Sequence, residues 1–119
     1  MTSFKPFDVI LVPFPFADLS TQKQRPALLL KTVTAKFFGD LLLCAMVTSQ
    51  TDGEMIEGDL LLKNWHEAGL MHKSKLRLAK IVTLQKNVVR KKIGHLLVED
   101  QKTVTKLIKK FWESSFKKL

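Results

Sequence analysis

The chain has 119 residues, of which 45% are apolar and 26% charged, and this composition fits one globular domain with its own core. The low content of Gly (5) and Pro (4) excludes collagen-like and low-complexity chains. The single Cys excludes an internal disulfide framework and indicates a reducing compartment. The 20 basic and 11 acidic residues give a net charge of +9, which favours a polyanionic partner, with nucleic acid first among the candidates.

The first half of the chain predicts three strands separated by a loop and a turn. Residues 7–14 and 27–33 are rich in branched and large apolar side chains, which is typical of strands. The polar residues 15–24 predict a mobile loop between them, and residues 38–40 predict a turn. Residues 41–48 form a continuous apolar run, which is the pattern of a strand buried on both faces.

The length of that apolar run also bears on location. A membrane-spanning helix needs ~20 consecutive apolar residues, far more than this run provides. The N-terminus carries only Lys5 before an apolar stretch that Asp8, Pro13 and Pro15 interrupt, so we expect no signal peptide. We therefore expect a cytoplasmic protein that has no membrane partner.

The middle of the chain predicts shorter elements. Residues 55–62 are a strand candidate. Asn64 is predicted to cap a short helix, with Glu67 reaching back to it in a capping box and Gly69 ending the helix in the left-handed conformation. Residues 76–82 predict a further strand with a cationic face.

The C-terminal part predicts a long amphipathic helix. Gly94 is expected to break the chain before this helix begins. From Glu99 onward, apolar residues recur at helical spacing with lysines on the opposite side: Val104, Leu107, Ile108, Phe111 and Trp112. Five or six short strands and this helix predict a single α+β domain over residues 1–119 with a small barrel-like sheet.

Positive charge is concentrated in residues 71–92. This stretch holds eight basic residues and no acid: Lys73, Lys75, Arg77, Lys80, Lys86, Arg90, Lys91 and Lys92. These cations either form solvated faces of strands and turns or follow a phosphate backbone, and the sequence leaves both interpretations open.

Metal and covalent chemistry are poorly supported by the sequence. Cys44, His66, His72 and His95 show no metal-ligand spacing, so we expect neither a metal nor a cofactor. Cys44 lies inside the most apolar run, where a small thiol is ordinarily part of the core and not a nucleophile.

Two polar groups stand out because they lie at the ends of predicted strands. Arg25 closes the polar loop at the start of one strand, and Thr48-Ser49-Gln50 follows the most apolar strand. Strand ends are where a rigid scaffold presents reactive groups to solvent. The residues alone nevertheless favour ordinary roles for Arg25 and Thr48, as a surface cation and a strand terminator.

Six motifs, taken together, point further than any one of them. They follow one another over nearly the whole chain: Asp8-Val9-Ile10-Leu11-Val12, Pro13-Phe14-Pro15-Phe16 with Asp18-Leu19-Ser20, Arg25-Pro26-Ala27-Leu28, Val47-Thr48-Ser49, Ala68-Gly69-Leu70 with Ser74, and Ile93-Gly94-His95-Leu96. In this order they resemble the MazF/PemK-like toxins of type II toxin–antitoxin modules, which are bacterial ribonucleases on a small SH3-like barrel.

The resemblance implies a fold, an activity and a set of residues. It implies an SH3-like β-barrel of five to seven strands with short helices, a homodimer, and sequence-specific, metal-independent cleavage of single-stranded RNA in the bacterial cytoplasm. Arg25 and Thr48 match the family's catalytic pair. Candidates for substrate binding lie around them: Phe16, Ser20, Gln22, Ser49, Gln50 and Lys73. The partner implied is an antitoxin with an acidic, disordered segment.

The chain departs from the family's pattern at two places. Phe7 stands where a Gly commonly precedes the first-strand Asp, and residues 20–24 hold neither the Gly nor the Glu that many members carry before the Arg. The RNA sequence that is cleaved is therefore not predicted. Two other functions stay open, a toxin of the same fold that acts on DNA gyrase and a nucleic-acid-binding barrel without catalysis.

Overall fold

The computed structural model describes residues 3–15, 22–37 and 39–116, which form one antiparallel sheet and one long helix. The helix is α1 (Val98–Phe116), and a single 3-10 turn covers Lys86–Val88. The sheet has the strand order β4-β5-β3-β2-β1-β6. Its six strands are β1 (Asp8–Pro15), β2 (Gln22–Ala35), β3 (Gly39–Thr48), β4 (Asp59–Leu61), β5 (Lys75–Gln85) and β6 (Lys91–His95).

The long elements agree with the sequence prediction, whereas the start of β2 differs from it. Strands β1, β3 and β5 and helix α1 are confirmed, and β3 is buried along most of its length, as its apolar run predicts. β2 begins at Gln22, within the predicted loop 15–24. The reason is that β1 runs on to Pro15, so the polar residues after Gln22 extend the ladder and pair with it. Residues 16–21 of the predicted loop lie outside the described part of the chain.

The predicted short helix at Asn64 is wrong. Residues 63–69 form hydrogen-bonded turns, and β4 covers only three residues of the predicted strand 55–62. The backbone N–H groups of Lys63 and Asn64 donate to the carboxylate of Asp100 on α1, at 3.2 and 2.8 Å. A distant carboxylate thus replaces the predicted local cap. Gly69 does adopt the predicted left-handed conformation, with φ of 95°.

Gly94 does not break the chain, because it lies inside β6. A Cβ atom at this position would come 2.0 Å from the carbonyl oxygen of Ala68. A Cβ at Gly69 would likewise come 2.5 Å from the carbonyl oxygen of Ile93. The turn 63–69 therefore lies directly on the backbone of β6, and only glycine permits so close an approach.

The same contact lies at one edge of an open sheet. Strands β4 and β6 end the strand order, and the described residues give no pairing between them. The turn at residues 63–69 lies against β6. The α+β class is confirmed, and six strands lie within the predicted range of five to seven. The described sheet is not closed into the predicted barrel, and the SH3-like detail stays a prediction.

Both faces of the sheet carry apolar cores. One core includes Val9, Leu28 and Val47 and is covered by α1 through Val104 and Leu107. Residues of the opposite parity form the second core, as strand alternation requires: Ile10, Val12, Phe14, Ala27, Leu29, Leu42 and Cys44. Within the described residues, no helix is long and apolar enough to cross a membrane.

Candidate active site

Arg25 and Thr48 lie on adjacent strands, just beyond the last residues of the β2–β3 ladder, with Arg25 inside β2 and not at its start. The β2–β3 ladder reaches Ala27 opposite Met46, and each site residue lies two positions beyond that pair on its own strand. Strand alternation therefore directs both side chains to the same side of the sheet. The two residues line one cavity of about 410 Å³. The structure thus brings together the two side chains that the sequence singles out.

The hydroxyl of Thr48 is held in place by its own loop. Thr48 is buried, and its Oγ1 accepts a hydrogen bond from the backbone N–H of Gln50 at 3.1 Å. A hydroxyl has two lone pairs and one proton, so this bond fixes the oxygen without using the proton. Thr48 can therefore donate a hydrogen bond to a substrate oxygen in the cavity.

Arg25 also faces a second cavity. The half-buried Arg25 lines a volume of about 520 Å³ together with Ser49, His72, Lys91 and Lys92. The described residues around this cavity include no carboxylate, whereas Asp52 and Glu54 line the smaller one. Arg25 therefore lines both a cationic cavity and one of mixed charge, and the exposed His72 lines the cationic one.

The structure places the other predicted residues unevenly. Gln50 lines the 410 Å³ cavity and Ser49 lines the 520 Å³ cavity. Lys73 is exposed and is not among the described residues that line either of them. The backbone of Gln22 pairs with Pro15, and its side chain lies outside the described part, as do the whole of Phe16 and Ser20.

A buried ion cluster that the sequence analysis missed lies beside Thr48. Lys75 is the ladder partner of Thr48 and is only 2% exposed, with its Nζ 3.5 Å from Asp59 Oδ2. Arg77 donates from Nε and Nη2 to the same carboxylate at 3.0 and 2.8 Å. Both cations also donate to the backbone carbonyl of Glu54, at 3.3 and 3.1 Å. The cluster therefore fixes a wall of the 410 Å³ cavity.

Electrostatics hold the Asp59 carboxylate in its charged form. The hydrogen bonds from Arg77 lower the pKa of Asp59 below its usual value of 3.8, although burial alone would raise it. In the sequence, the cluster is visible only as one acid, Asp59, that precedes the cationic strand β5. Recognising the pairing requires the β4–β5 register, which places Asp59 opposite Arg77.

A second buried carboxylate, Asp8, holds the start of β1 to β6. Asp8 is 2.7 Å from His95 Nδ1 and 3.2 Å from Lys92 Nζ, and it accepts the backbone N–H of Lys5 at 2.9 Å. Burial would raise the pKa of Asp8, but these three contacts together lower it. Lys75, Arg77 and Lys92 are thus paired with carboxylates of the protein itself, so the cations of residues 71–92 do not form one surface of unpaired charge.

The described residues of the site offer cations, hydroxyls and, in the smaller cavity, the carboxylates of Asp52 and Glu54. In the part of the chain that the structure describes, no three His, Cys, Asp or Glu side chains are grouped to hold a metal ion. Cys44 is fully buried, and burial raises the pKa of its thiol to about 12, which makes it a poor nucleophile.

Comparison with known proteins gives a consistent result. A sequence model of the PemK-like, MazF-like toxins of type II toxin–antitoxin systems matches residues 5–112. No curated protein sequence matches.

Two solved structures share the fold. One is an endoribonuclease in complex with its cognate antitoxin from a Mycobacterial species, with a TM-score of 0.70 and 12% identity over 93% of this chain and 96% of that one. The other is the Mycobacterium tuberculosis toxin MazF-mt6, with a TM-score of 0.63 and 15% identity over 92% and 97% of the two chains.

Proposed function

Because the chain belongs to the PemK-like, MazF-like toxins of type II toxin–antitoxin systems, we propose that it is an endoribonuclease whose catalytic residues are Arg25 and Thr48. The observation that carries this proposal is that both side chains line one cavity, with Arg25 inside β2 and Thr48 at the end of β3. The substrate proposed is single-stranded RNA, cleaved at a particular sequence and without a metal ion.

The reaction proposed is attack within the RNA chain itself. The ribose 2′-oxygen loses its proton and forms a bond to the adjacent phosphorus, while the bond from phosphorus to the 5′-oxygen breaks. The 5′-oxygen takes up a proton, so the products are a 2′,3′-cyclic phosphate and a 5′-hydroxyl. Negative charge accumulates on the two non-bridging oxygens during this step.

Arg25 and Thr48 suit that charge in different ways. The planar guanidinium of Arg25 can hold two phosphate oxygens through parallel, charge-assisted hydrogen bonds. The Thr48 hydroxyl, oriented by the N–H of Gln50, adds one neutral donor. A guanidinium stays protonated at neutral pH, so we assign Arg25 to charge stabilisation and leave the general base unassigned.

The proposal extends to the partners. The net charge of +9 would attract an antitoxin with an acidic, disordered segment that folds on contact. One of the similar structures is a toxin bound to its cognate antitoxin. We also expect the chain to form a homodimer, which light scattering of the purified protein would test.

Mapping of RNA products tests the central claim. The wild-type protein, with and without a chelator, is expected to give the same fragments with 5′-hydroxyl ends. Arg25→Ala is expected to give none while keeping its circular dichroism spectrum and its oligomeric state. Lys102→Ala removes one exposed cation from α1 and is expected to cleave normally.

Three results would contradict the proposal in different ways. Cleavage by Arg25→Ala at the parental rate would remove the assignment of Arg25. Salt-sensitive RNA binding without products would indicate a nucleic-acid-binding module. Inhibition of DNA gyrase without RNA cleavage would indicate the gyrase-directed alternative.

A further inference from the structure

The cationic cavity beside Arg25 continues into a larger groove. The groove has a volume of about 760 Å³ and shares Lys91 and Lys92 with the 520 Å³ cavity. The 3-10 turn Lys86–Val88 and the start of β6 form one of its sides. A single surface therefore leads from Arg25 along β6 to the far end of the sheet.

The charge of this surface is strongly one-sided. Lys86, Arg90 and Lys91 have no ion pair with any residue in the described ranges 3–15, 22–37 and 39–116, and we call these three residues the cation track. Lys92 beside them is paired with the buried Asp8. The groove has Asp40 as the one acid among its described lining residues. The track thus holds positive charge that no carboxylate in the described part of the chain neutralises through an ion pair.

The backbone that carries the track is fixed to β1. The N–H of Arg90 donates to the carbonyl of Leu11 at 2.8 Å, and Leu11 is also the ladder partner of Lys91. The N–H of Val89 donates to the carbonyl of Lys86 at 3.2 Å. Cations on a fixed backbone can keep a constant spacing to successive charges on a ligand, which loosely held cations cannot.

An aromatic side chain lies among these cations. Phe4 is half-buried, packs against the second core, and lines the groove with the track. Proteins that bind single-stranded nucleic acid commonly combine a basic groove for the backbone with aromatic faces on which bases stack. An acidic polypeptide would use the positive charge but has no need of an aromatic face.

We propose that the cation track binds the phosphodiester backbone of single-stranded RNA where the strand leaves the cavity at Arg25. This inference rests on the proposed function, since it takes the RNA to be the strand that is cleaved beside Arg25. It adds a binding surface, Lys86, Arg90 and Lys91 with Phe4, that is separate from the residues at the scissile phosphate.

The test measures affinity for an uncleavable strand against salt concentration. The probe is a fluorescent 2′-O-methyl RNA oligonucleotide, which lacks the attacking hydroxyl and so reports binding alone. The track variant is Lys86→Gln/Arg90→Gln/Lys91→Gln. The control variant, Lys102→Gln/Lys106→Gln/Lys109→Gln, loses the same charge from exposed positions on α1. Circular dichroism checks that both variants are folded.

The expected result is a change in slope. Each phosphate contact on a single strand contributes about 0.7 to the dependence of log K on log salt, so the loss of three contacts lowers the slope by about 2. The plots of log K against log salt for the wild type and the track variant meet at high salt. At a salt concentration tenfold below that point, the affinities of the two proteins differ by about 100-fold. The control variant is expected to keep the wild-type slope.

The outcomes separate this inference from the proposed function. Equal slopes for wild type and track variant, or the same loss in the control, would overturn the track while wild-type cleavage still stands. Unchanged binding of the oligonucleotide together with weaker binding of polyglutamate would also overturn it, because the surface would then serve an acidic polypeptide. Absence of RNA cleavage by the wild type would overturn the proposed function whatever the slopes are.

Discussion

Asp59 accepts two hydrogen bonds from Arg77, a residue 18 positions further along the chain, and the pair joins the short strand β4 to β5. The side chain of Asp59 is fully buried. Because Arg77 also donates to the carbonyl of Glu54, this one carboxylate fixes both the strand and the segment before it. The position of the cavity wall opposite Thr48 therefore depends on an ion pair that contacts no substrate.

Replacing this carboxylate tests the pair. Asp59→Asn leaves Lys75 and Arg77 without their anion, and removing one partner of a buried ion pair destabilises a protein by about 3–5 kcal/mol. We expect a loss of this size in urea unfolding. Glu67→Gln changes an exposed carboxylate 3.9 Å from His66 and is expected to cost less than about 0.5 kcal/mol. Equal stability of the two variants would show that the buried pair contributes nothing.

The two buried carboxylates predict how stability responds to acid. The pKa values of Asp8 and Asp59 are lowered in the folded protein from 3.8, so folding stabilises their charged forms. Their contribution is complete above pH 3.8 and is lost as the pH falls through the lower folded-state pKa values. Thermal unfolding is expected to show a melting temperature that drops in this acid range. Asp8→Asn should reduce the drop, and a rise in stability on acidification would contradict the assignment.

Thr48 allows a test of the transition state. Thr48→Val keeps the shape of the side chain and removes the one neutral donor that we assign to the phosphate. Loss of a single oriented donor lowers a rate by about 10²–10³-fold. We expect single-turnover RNA cleavage to slow by this factor. Because the change also removes the acceptor of the Gln50 backbone N–H, we expect a loss of stability of about 1 kcal/mol beside it. Thr103→Val, the same change on the exposed side of α1, should cleave at the wild-type rate. A Thr48→Val enzyme as fast as this control would exclude Thr48 from the reaction.

Gly94 tests the close contact between β6 and the turn at residues 63–69. An added methyl at Gly94 would overlap the carbonyl oxygen of Ala68, whereas a methyl at Gly53 would meet nothing within 4 Å. We expect Gly94→Ala to cost about 3 kcal/mol or more, because neither backbone can move without disturbing the core. Gly53→Ala should be neutral or stabilising by up to ~1 kcal/mol. Denaturant unfolding of the two variants measures the difference, and similar midpoints would contradict the close approach.

Cys44 provides a probe of opening of the second core. The thiol is fully buried and its pKa is raised to about 12, so little thiolate exists at neutral pH. We expect no reaction with a thiol reagent in the native protein and one equivalent after unfolding in urea. Rapid labelling of the native protein would show that the core around Cys44 opens readily.

Elements with strong local patterns could be predicted from the sequence, and those fixed by distant partners could not. The apolar run of β3 and the helical periodicity of α1 each depend only on neighbouring residues. The turn at residues 63–69 instead depends on Asp100, 36 and 37 positions away. The local residues favour a helix there. Nothing in their pattern indicates that a carboxylate from α1 accepts from the backbone N–H groups of Lys63 and Asn64.

The site likewise has features that could be predicted from the sequence and features that could not. The convergence of Arg25 and Thr48 was expected from the family resemblance and not from the residues alone, which favoured ordinary roles. The internal pairing of Lys75, Arg77 and Lys92 could not be predicted, because it depends on which strands are neighbours and in what register. Charge counts along a sequence therefore overstate the cations that a surface offers to a ligand.

The bonds from the backbone of Lys63 and Asn64 to Asp100 have a consequence for synthesis. During translation the strands emerge before α1, so the turn that carries Gly69 and borders the 520 Å³ cavity lacks its acceptor until Asp100 has left the ribosome. The Val104 side chain, which belongs to the first core, emerges later still. A nascent chain is thus expected to remain without a finished cavity until α1 has emerged and packed onto the sheet.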